Sequence, residues 1–174
     1  DRAVRWVRQQ SKDRPWMLSV GYSAIHTPLQ PPPTSLLPAG SEDGGGFDSK
    51  DLHQQRVLTN QMIEAMDREI GRLLVETGLA RRRADGSLDY RPADTNTVVV
   101  VMGDNGTYAP SVKAPFNPTR AKGFPYQTGV WVPLIVAGPV VKEPDRDVPH
   151  MVNSADLYSL FGELAGIDVR QAVP

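Results

Sequence analysis

Cysteine is absent from the 174 residues of this chain. Disulfide bonds and thiol nucleophiles are therefore excluded within it, although this absence does not identify the compartment. The formal net charge is only −1, so no general electrostatic attraction to nucleic acid or to a membrane surface is expected. No apolar run approaches the roughly 18 residues of a membrane span. The sequence thus predicts neither a nucleic-acid partner nor a membrane span, and it leaves the oligomeric state open.

Proline and glycine, by contrast, are abundant, with 16 and 15 residues. They imply long loops between short elements. The length suits one ordinary domain with a sizeable core, and 40% apolar with 22% charged residues is typical of a globular protein. We therefore expect a single domain over residues 1–174.

The most informative stretch is a short apolar run that ends in a polar turn. Thr97–Met102 is rich in β-branched residues and predicts a strand buried on both faces, as in a parallel sheet. Asp104 and Asn105 follow it, flanked by glycines, where the sites of open α/β sheets lie. Their oxygens suit a hard cation such as Ca²⁺ or Mg²⁺. The alternative is a plain tight turn, because Asp, Asn and Gly are common turn residues.

Other segments complete an α/β pattern. Trp16–Tyr22 predicts a buried strand, after which His26 falls in a proline-stiffened segment. Residues 50–77 predict a long amphipathic helix that ends at Gly78, and together with the strand at Thr97 this helix would form half of a βαβ unit. Val132–Ala137 predicts a further strand, either an edge strand or one that begins at its proline.

Four motifs, in order, resemble the sulfatase family of the alkaline phosphatase superfamily. They are His26-Thr-Pro-Leu-Gln30 behind its strand, the helix around Asn60–Leu74, Val100-Val-Met-Gly-Asp-Asn-Gly106, and Arg120-Ala-Lys-Gly-Phe-Pro-Tyr-Gln-Thr-Gly-Val-Trp-Val-Pro133. The helix around residues 156–166 also fits. The resemblance implies an α/β sandwich, here partial, with a mostly parallel or mixed sheet flanked by helices.

The same resemblance implies roles for four residues. Asp104 and Asn105 would be ligands of a divalent cation, usually Ca²⁺ in sulfatases, with Mg²⁺ or Mn²⁺ as alternatives. Lys122 and His26 would be catalytic and would contact the sulfate, His26 at or near the oxygen that bridges to the alcohol. The expected substrate is a small-molecule or carbohydrate sulfate ester, and the resemblance favours a periplasmic or secreted location. A lone histidine or lysine without these motifs would be interpreted as structural or solvated.

Two features of the family are missing from the sequence. Its nucleophile is a formylglycine made from the first residue of a Cys- or Ser-x-Pro-Ser-Arg motif, and the nearest string here is Phe116-Asn-Pro-Thr-Arg120. Its early Asp-Asp metal pair has no counterpart. We therefore expect the later part of a sulfatase catalytic domain, inactive alone, with the nucleophile in an upstream segment. Two alternatives stay open, namely a phosphonate or phosphodiester hydrolase of the same superfamily and a non-catalytic binding module. In the lysine motif, Gln127 and Trp131 replace a common glutamate and arginine, so the surface facing the substrate is expected to be atypical.

Overall fold

The computed structural model of the chain describes residues 2–11 and 13–172. Two compact units are distinguished within the chain, one of Asp1–Gln9 with Ser19–Lys142 and the other of Gln10–Leu18 with Glu143–Pro174. The expected single domain over residues 1–174 stays a prediction. Among the described residues, no helix is both long enough and apolar enough to span a bilayer.

The first unit contains the candidate site residues. Its helices and strands are α1 (Arg2–Arg8), α2 (Leu52–Glu76), β1 (Ala80–Arg82), β2 (Leu88–Tyr90), α3 (Pro92–Thr95), β3 (Val99–Met102), α4 (Gln127–Val130) and β4 (Leu134–Ala137). Single turns of 3₁₀-helix lie at Thr34–Leu36, Ala109–Ser111 and Pro118–Arg120. The second unit has α5 (Asp156–Leu164) and α6 (Val169–Ala172).

Helix α2 confirms the predicted long amphipathic helix. The side chain of Asp51 caps it by accepting a 2.9 Å hydrogen bond from the backbone N–H of Gln54. Gly78, just beyond the end, has a φ of +78°, in the left-handed region that glycine adopts without a steric penalty. The buried stripe of α2 includes Leu58 and Met62, which pack with Leu29 in the core of this unit. The helical spacing of the apolar residues therefore defines both the helix and the face that it buries.

The predicted sheet is wrong in its pairing. Strands β3 and β4 form a two-stranded antiparallel sheet, with Val99 opposite Ala137 and Met102 opposite Leu134. Strands β1 and β2 form a second antiparallel pair. In the part of the chain that the structure describes, no larger parallel or mixed sheet is present. Burial on both faces is also wrong for β3, because Val101 and Met102 are 36% and 37% exposed.

Two further expectations need correction. Trp16–Tyr22 contains no strand, so His26 does not follow one. The connection between α2 and β3 is not half of a simple βαβ unit, since the β1–β2 hairpin and α3 lie between them. The strand predicted at Val132–Ala137 is confirmed as Leu134–Ala137, with Pro133 directly before it as expected from the missing N–H of proline.

Candidate active site

The turn after β3 presents the two predicted metal ligands. The backbone N–H of Gly103 donates a 3.1 Å hydrogen bond to the carbonyl oxygen of Pro133, which carries the β3–β4 pairing one step past the strand. Asp104 and Asn105 follow, and both are exposed. The side-chain amide of Asn105 donates a 3.0 Å bond to the carbonyl of Gly106, which leaves its own carbonyl oxygen available as a ligand. The turn thus offers hard oxygen donors on a fixed backbone.

The segment that carries Lys122 is hydrogen-bonded to this turn. The N–H of Lys122 donates a 2.9 Å bond to the carbonyl of Thr107, and the N–H of Thr107 donates a 2.8 Å bond to the carbonyl of Thr128. Gly106 is buried at this crossing, where a Cβ atom would collide with the backbone of Gly129. Asp104, Asn105 and Lys122 therefore lie on two adjoining segments.

The side chain of Lys122 is exposed, although the residue before it in the chain is buried. Its neighbour Ala121 is only 2% exposed, whereas Lys122 itself is exposed and has no ion pair among residues 2–11 and 13–172. The nearby guanidinium of Arg120 instead lies over the ring of Tyr126, 4.5 Å from its centroid. Lys122 is thus a positive charge that no carboxylate of the described chain compensates.

His26 lies on a segment that packs into the same core cluster as Tyr108, which follows the turn. Its neighbours Ile25 and Leu29 pack into the cluster formed with α2, and Tyr108, four residues after Asp104, packs there too. The Nδ1 atom of His26 is 2.6 Å from the carbonyl oxygen of Thr27. A carbonyl only accepts hydrogen bonds, so Nδ1 carries a hydrogen and donates. This bond orients the exposed imidazole and leaves Nε2 as the nitrogen available to a substrate.

The segment before His26 also runs along α2. Partial burial raises the pKa of the Tyr22 hydroxyl, and the nearby carboxylate of Glu69 raises it further. Tyr22 therefore lies near Glu69, in the C-terminal half of α2. The placement of His26 thus depends on packing against the helix rather than on a strand.

The residues present suit a hard cation in chemistry but not in number. Asp104 and Asn105 supply carboxylate and amide oxygens, which Ca²⁺ and Mg²⁺ prefer, yet Ca²⁺ takes about six to eight oxygens. Within the described ranges, no group of three or more His, Cys, Asp or Glu side chains could hold a metal ion. These two residues can therefore form only part of a complete coordination shell.

The string closest to a nucleophile motif has a structural role. Asn117 caps the 3₁₀ turn Pro118–Arg120, because its side-chain oxygen accepts a 2.9 Å bond from the N–H of Thr119. Phe116, the first residue of this string, has no group that could attack sulfur, and the string follows Asp104 although the family's motif precedes it.

A cavity of about 340 Å³ next to the turn was not predicted from the sequence. Its lining includes Thr107, Lys113, Phe116 and Trp131. The one sequence signal for it is the long irregular loop between Thr107 and Ala121, because long loops in compact domains often serve a site.

Comparison with known families agrees with the resemblance. A family model described as Sulfatase matches residues 1–167. No curated protein and no solved structure matches the chain significantly. The match covers nearly the whole chain, so this chain belongs to the sulfatase family, a family of hydrolases with an alkaline-phosphatase-like α/β fold.

Proposed function

We propose that this chain carries part of the active site of a divalent-metal-dependent sulfuric ester hydrolase acting on a small-molecule or carbohydrate sulfate ester. One observation carries the proposal. The turn with Asp104 and Asn105 is hydrogen-bonded through Thr107 to the segment with Lys122 in a chain of this family. A cation held by the turn and the ammonium group of Lys122 would then approach one anionic group from two directions.

Lys122 would hold the sulfate group. A sulfate ester keeps a negative charge, and the unpaired ammonium group lowers the cost of bringing that charge into the site. As the ester splits, further charge develops on the oxygens around sulfur. A positive charge already fixed at this place stabilises that change without reorganising during the reaction.

His26 would supply the proton for the departing alcohol. When the sulfur–oxygen bond to the alcohol breaks, the bonding electron pair leaves with the oxygen, which then needs a proton. With Nδ1–H donating to Thr27, the protonated imidazole would deliver the hydrogen on Nε2 to that oxygen. The orienting bond to Thr27 would keep Nε2 pointed consistently during this transfer.

Asp104 and Asn105 would hold the cation, with Ca²⁺ as the first choice and Mg²⁺ or Mn²⁺ as alternatives. When bound, such an ion supplies positive charge that polarises the sulfate oxygens. We further propose that its other ligands, and a formylglycine nucleophile, come from polypeptide other than these 174 residues. The basis is that no residue of the sequence matches the nucleophile motif or the Asp-Asp pair.

The test compares variants of the full-length protein that contains this chain. Lys122→Ala should lower kcat/KM for p-nitrophenyl sulfate by about 10²–10³-fold, the usual cost of losing one stabilising group for developing charge. Asp104→Ala should lower kcat/KM by a similar factor. After chelation, the activity of this variant should also depend less on added Ca²⁺ than that of the unmodified protein. His26→Ala should cost about 10²-fold or more with phenyl sulfate and less with p-nitrophenyl sulfate, since a better leaving group needs its proton less.

Matched controls are available in the chain. Lys142→Ala and His150→Ala remove exposed side chains of the same types and should leave turnover unchanged. Turnover of p-nitrophenyl phosphate but not of the sulfate would move the assignment to a phosphoryl-directed relative. Full activity of the Lys122→Ala variant would overturn the site assignment.

A further inference from the structure

The cavity beside the candidate site begins where the metal-ligand turn ends. Its lining includes Thr107 and Thr128, the residues whose backbones hydrogen-bond to each other at the crossing of the two segments. The carbonyl of Thr107 also accepts the hydrogen bond from Lys122. A molecule in the cavity would therefore contact Thr107, whose backbone is hydrogen-bonded to that of Lys122.

Two aromatic side chains form walls of this cavity. Phe116 and Trp131 are 46% and 69% exposed, although aromatic rings of this size are ordinarily buried. Their backbones are fixed locally, since the N–H of Phe116 donates to the carbonyl of Lys113 at 3.0 Å and that of Trp131 donates to Gln127 at 2.8 Å. Exposed rings on a fixed backbone offer flat apolar surfaces to another ring.

One part of the cavity lining is attached to the rest of the unit. It contains Val112, which is 6% exposed. Arg56 on α2 donates hydrogen bonds to the carbonyls of Pro110 and Val112 at 2.9 and 3.2 Å. The side-chain hydroxyl of Ser111 also contacts that of Thr59 on α2, at 3.4 Å. This part of the lining is thus attached to the longest helix of the unit and does not have to be ordered when a ligand binds.

The charge of the lining is positive. Lys113 contributes an ammonium group, and no carboxylate lines the cavity. Lys113 has no ion pair within the described part of the chain. A larger cavity, of about 630 Å³, is lined by Glu42 and Asp43 without any lysine or arginine, so it suits an anionic ester poorly. The smaller cavity is the one whose charge complements an anion.

We propose that this cavity binds the alcohol portion of the ester, and that this portion is a ring bearing a second negative charge. Phe116 and Trp131 contact the ring faces, and Lys113 pairs with the second charge, such as a carboxylate. Gln127 lies at the same wall and offers both a donor and an acceptor to substituents of the ring. This inference rests on the proposed function for the position of the ester, but the charge and the rings of the cavity specify the substrate class.

Binding of sulfate-free probes to the full-length protein tests the inference without turnover. The probes are 4-hydroxybenzoate and phenol, which share an aryl ring, and methyl glucuronide and methyl glucoside, which share a sugar ring. In at least one pair, we expect the probe with the carboxylate to bind about tenfold more tightly than the neutral probe. Calorimetry and ligand-observed NMR measure the two affinities. The pair with the larger difference in affinity shows whether the cavity prefers an aryl ring or a sugar ring. The advantage should shrink with added salt, because exposed charges are screened.

Variants locate the binding. Lys113→Gln should abolish the preference for the charged probe, and Trp131→Ala should weaken both members of the pair about tenfold. Lys142→Gln and Phe47→Ala, which remove an exposed lysine and an exposed phenylalanine elsewhere, should change neither. Equal binding of charged and neutral probes, no binding of any probe, or a preference that survives Lys113→Gln would each overturn the inference. If p-nitrophenyl sulfate is still hydrolysed in that case, the proposed function stands; if the probes bind and no ester is hydrolysed, the proposed function fails alone.

Discussion

At the scale of single residues, Gly106 determines how closely the two site segments approach. It is buried where the turn after β3 crosses the segment of Lys122, and the backbone of Gly129 occupies the space that a side chain would need. Backbone atoms cannot rotate away as a flexible side chain can. The distance between the turn that carries Asp104 and the segment that carries Lys122 therefore depends on glycine at this position.

Gly106→Ala should lower the free energy of unfolding by about 1–3 kcal/mol, the usual range for overpacking a filled site. It should also lower turnover, since the turn must move away from Gly129. Urea denaturation and the sulfate-ester assay on the full-length protein measure the two effects. Gly46→Ala is the matched control, because a Cβ there meets nothing within 4 Å. Equal stability of the two variants would show that the segments are not tightly packed at Gly106.

At the scale of elements, α2 supports the candidate site by packing and by hydrogen bonds. Its buried side packs against the segment of His26 and against Tyr108, and Arg56 holds the loop that lines the cavity.

On the more exposed side of α2, Arg72 forms ion pairs with Glu69 at 2.6 Å and with Glu76 at 2.9 Å. These pairs lie three and four residues apart, the spacing at which side chains of a helix are neighbours.

The pair between Glu69 and Arg72 predicts a dependence of stability on pH. The hydrogen bond from Arg72 holds the pKa of the Glu69 carboxyl below its ordinary value of 4.5. A group with a lowered folded-state pKa stabilises the fold above the unfolded-state pKa and loses that contribution as the pH falls through the folded-state pKa. Glu69→Gln should therefore cost about 0.5 kcal/mol near pH 7 and flatten the loss of stability below about pH 4.5.

Urea denaturation between pH 7 and pH 3 measures this effect. Glu64→Gln is the control, because Glu64 is an exposed carboxylate of the same helix with no ion pair in the described ranges. Parallel acid profiles for the Glu69 variant and the unmodified protein would contradict a stabilising role for this pair.

At the scale of the whole molecule, many large apolar side chains stay exposed. In the first unit, Val130 and Ile135 are 64% and 59% exposed, and the sheet of β3 and β4 has two strands in the described part of the chain. In the second unit, Tyr158 and Ile167 are 65% and 51% exposed. Exposed apolar surface of this kind commonly marks an interface. The further polypeptide that we propose as the source of the nucleophile would also cover part of this apolar surface.

The 174 residues produced alone should therefore bind a hydrophobic dye such as ANS and associate with one another, whereas the full-length protein should do so less. They should also show no turnover, because no nucleophile is held in line with sulfur. Dye fluorescence, light scattering and the ester assay on both proteins test this expectation. A monodisperse 174-residue chain without dye binding would favour a self-standing binding module, and turnover by it would refute the missing nucleophile.

The local elements and the family follow from patterns in the amino-acid sequence. The apolar stripe predicted α2 almost to its ends, and the β-branched runs predicted β3 and β4, because these patterns depend on residues close together in the chain. The order of the four motifs indicated the sulfatase family, which the match over residues 1–167 confirmed. The turn at Asp104 was also predicted, because Asp, Asn and Gly are common turn residues.

The way in which these elements pair and pack could not be predicted from the sequence. An apolar run does not specify whether its partner strand is parallel or antiparallel, so the pairing of β3 with β4 had to come from the fold. Trp16–Tyr22 has strand-like residues but no strand, since a strand needs a partner edge that the pattern does not encode. The contact of Thr107 with Lys122, and the cavity between Lys113 and Trp131, join residues far apart in sequence. Such contacts depend on the packing of whole segments against α2, which no local pattern records.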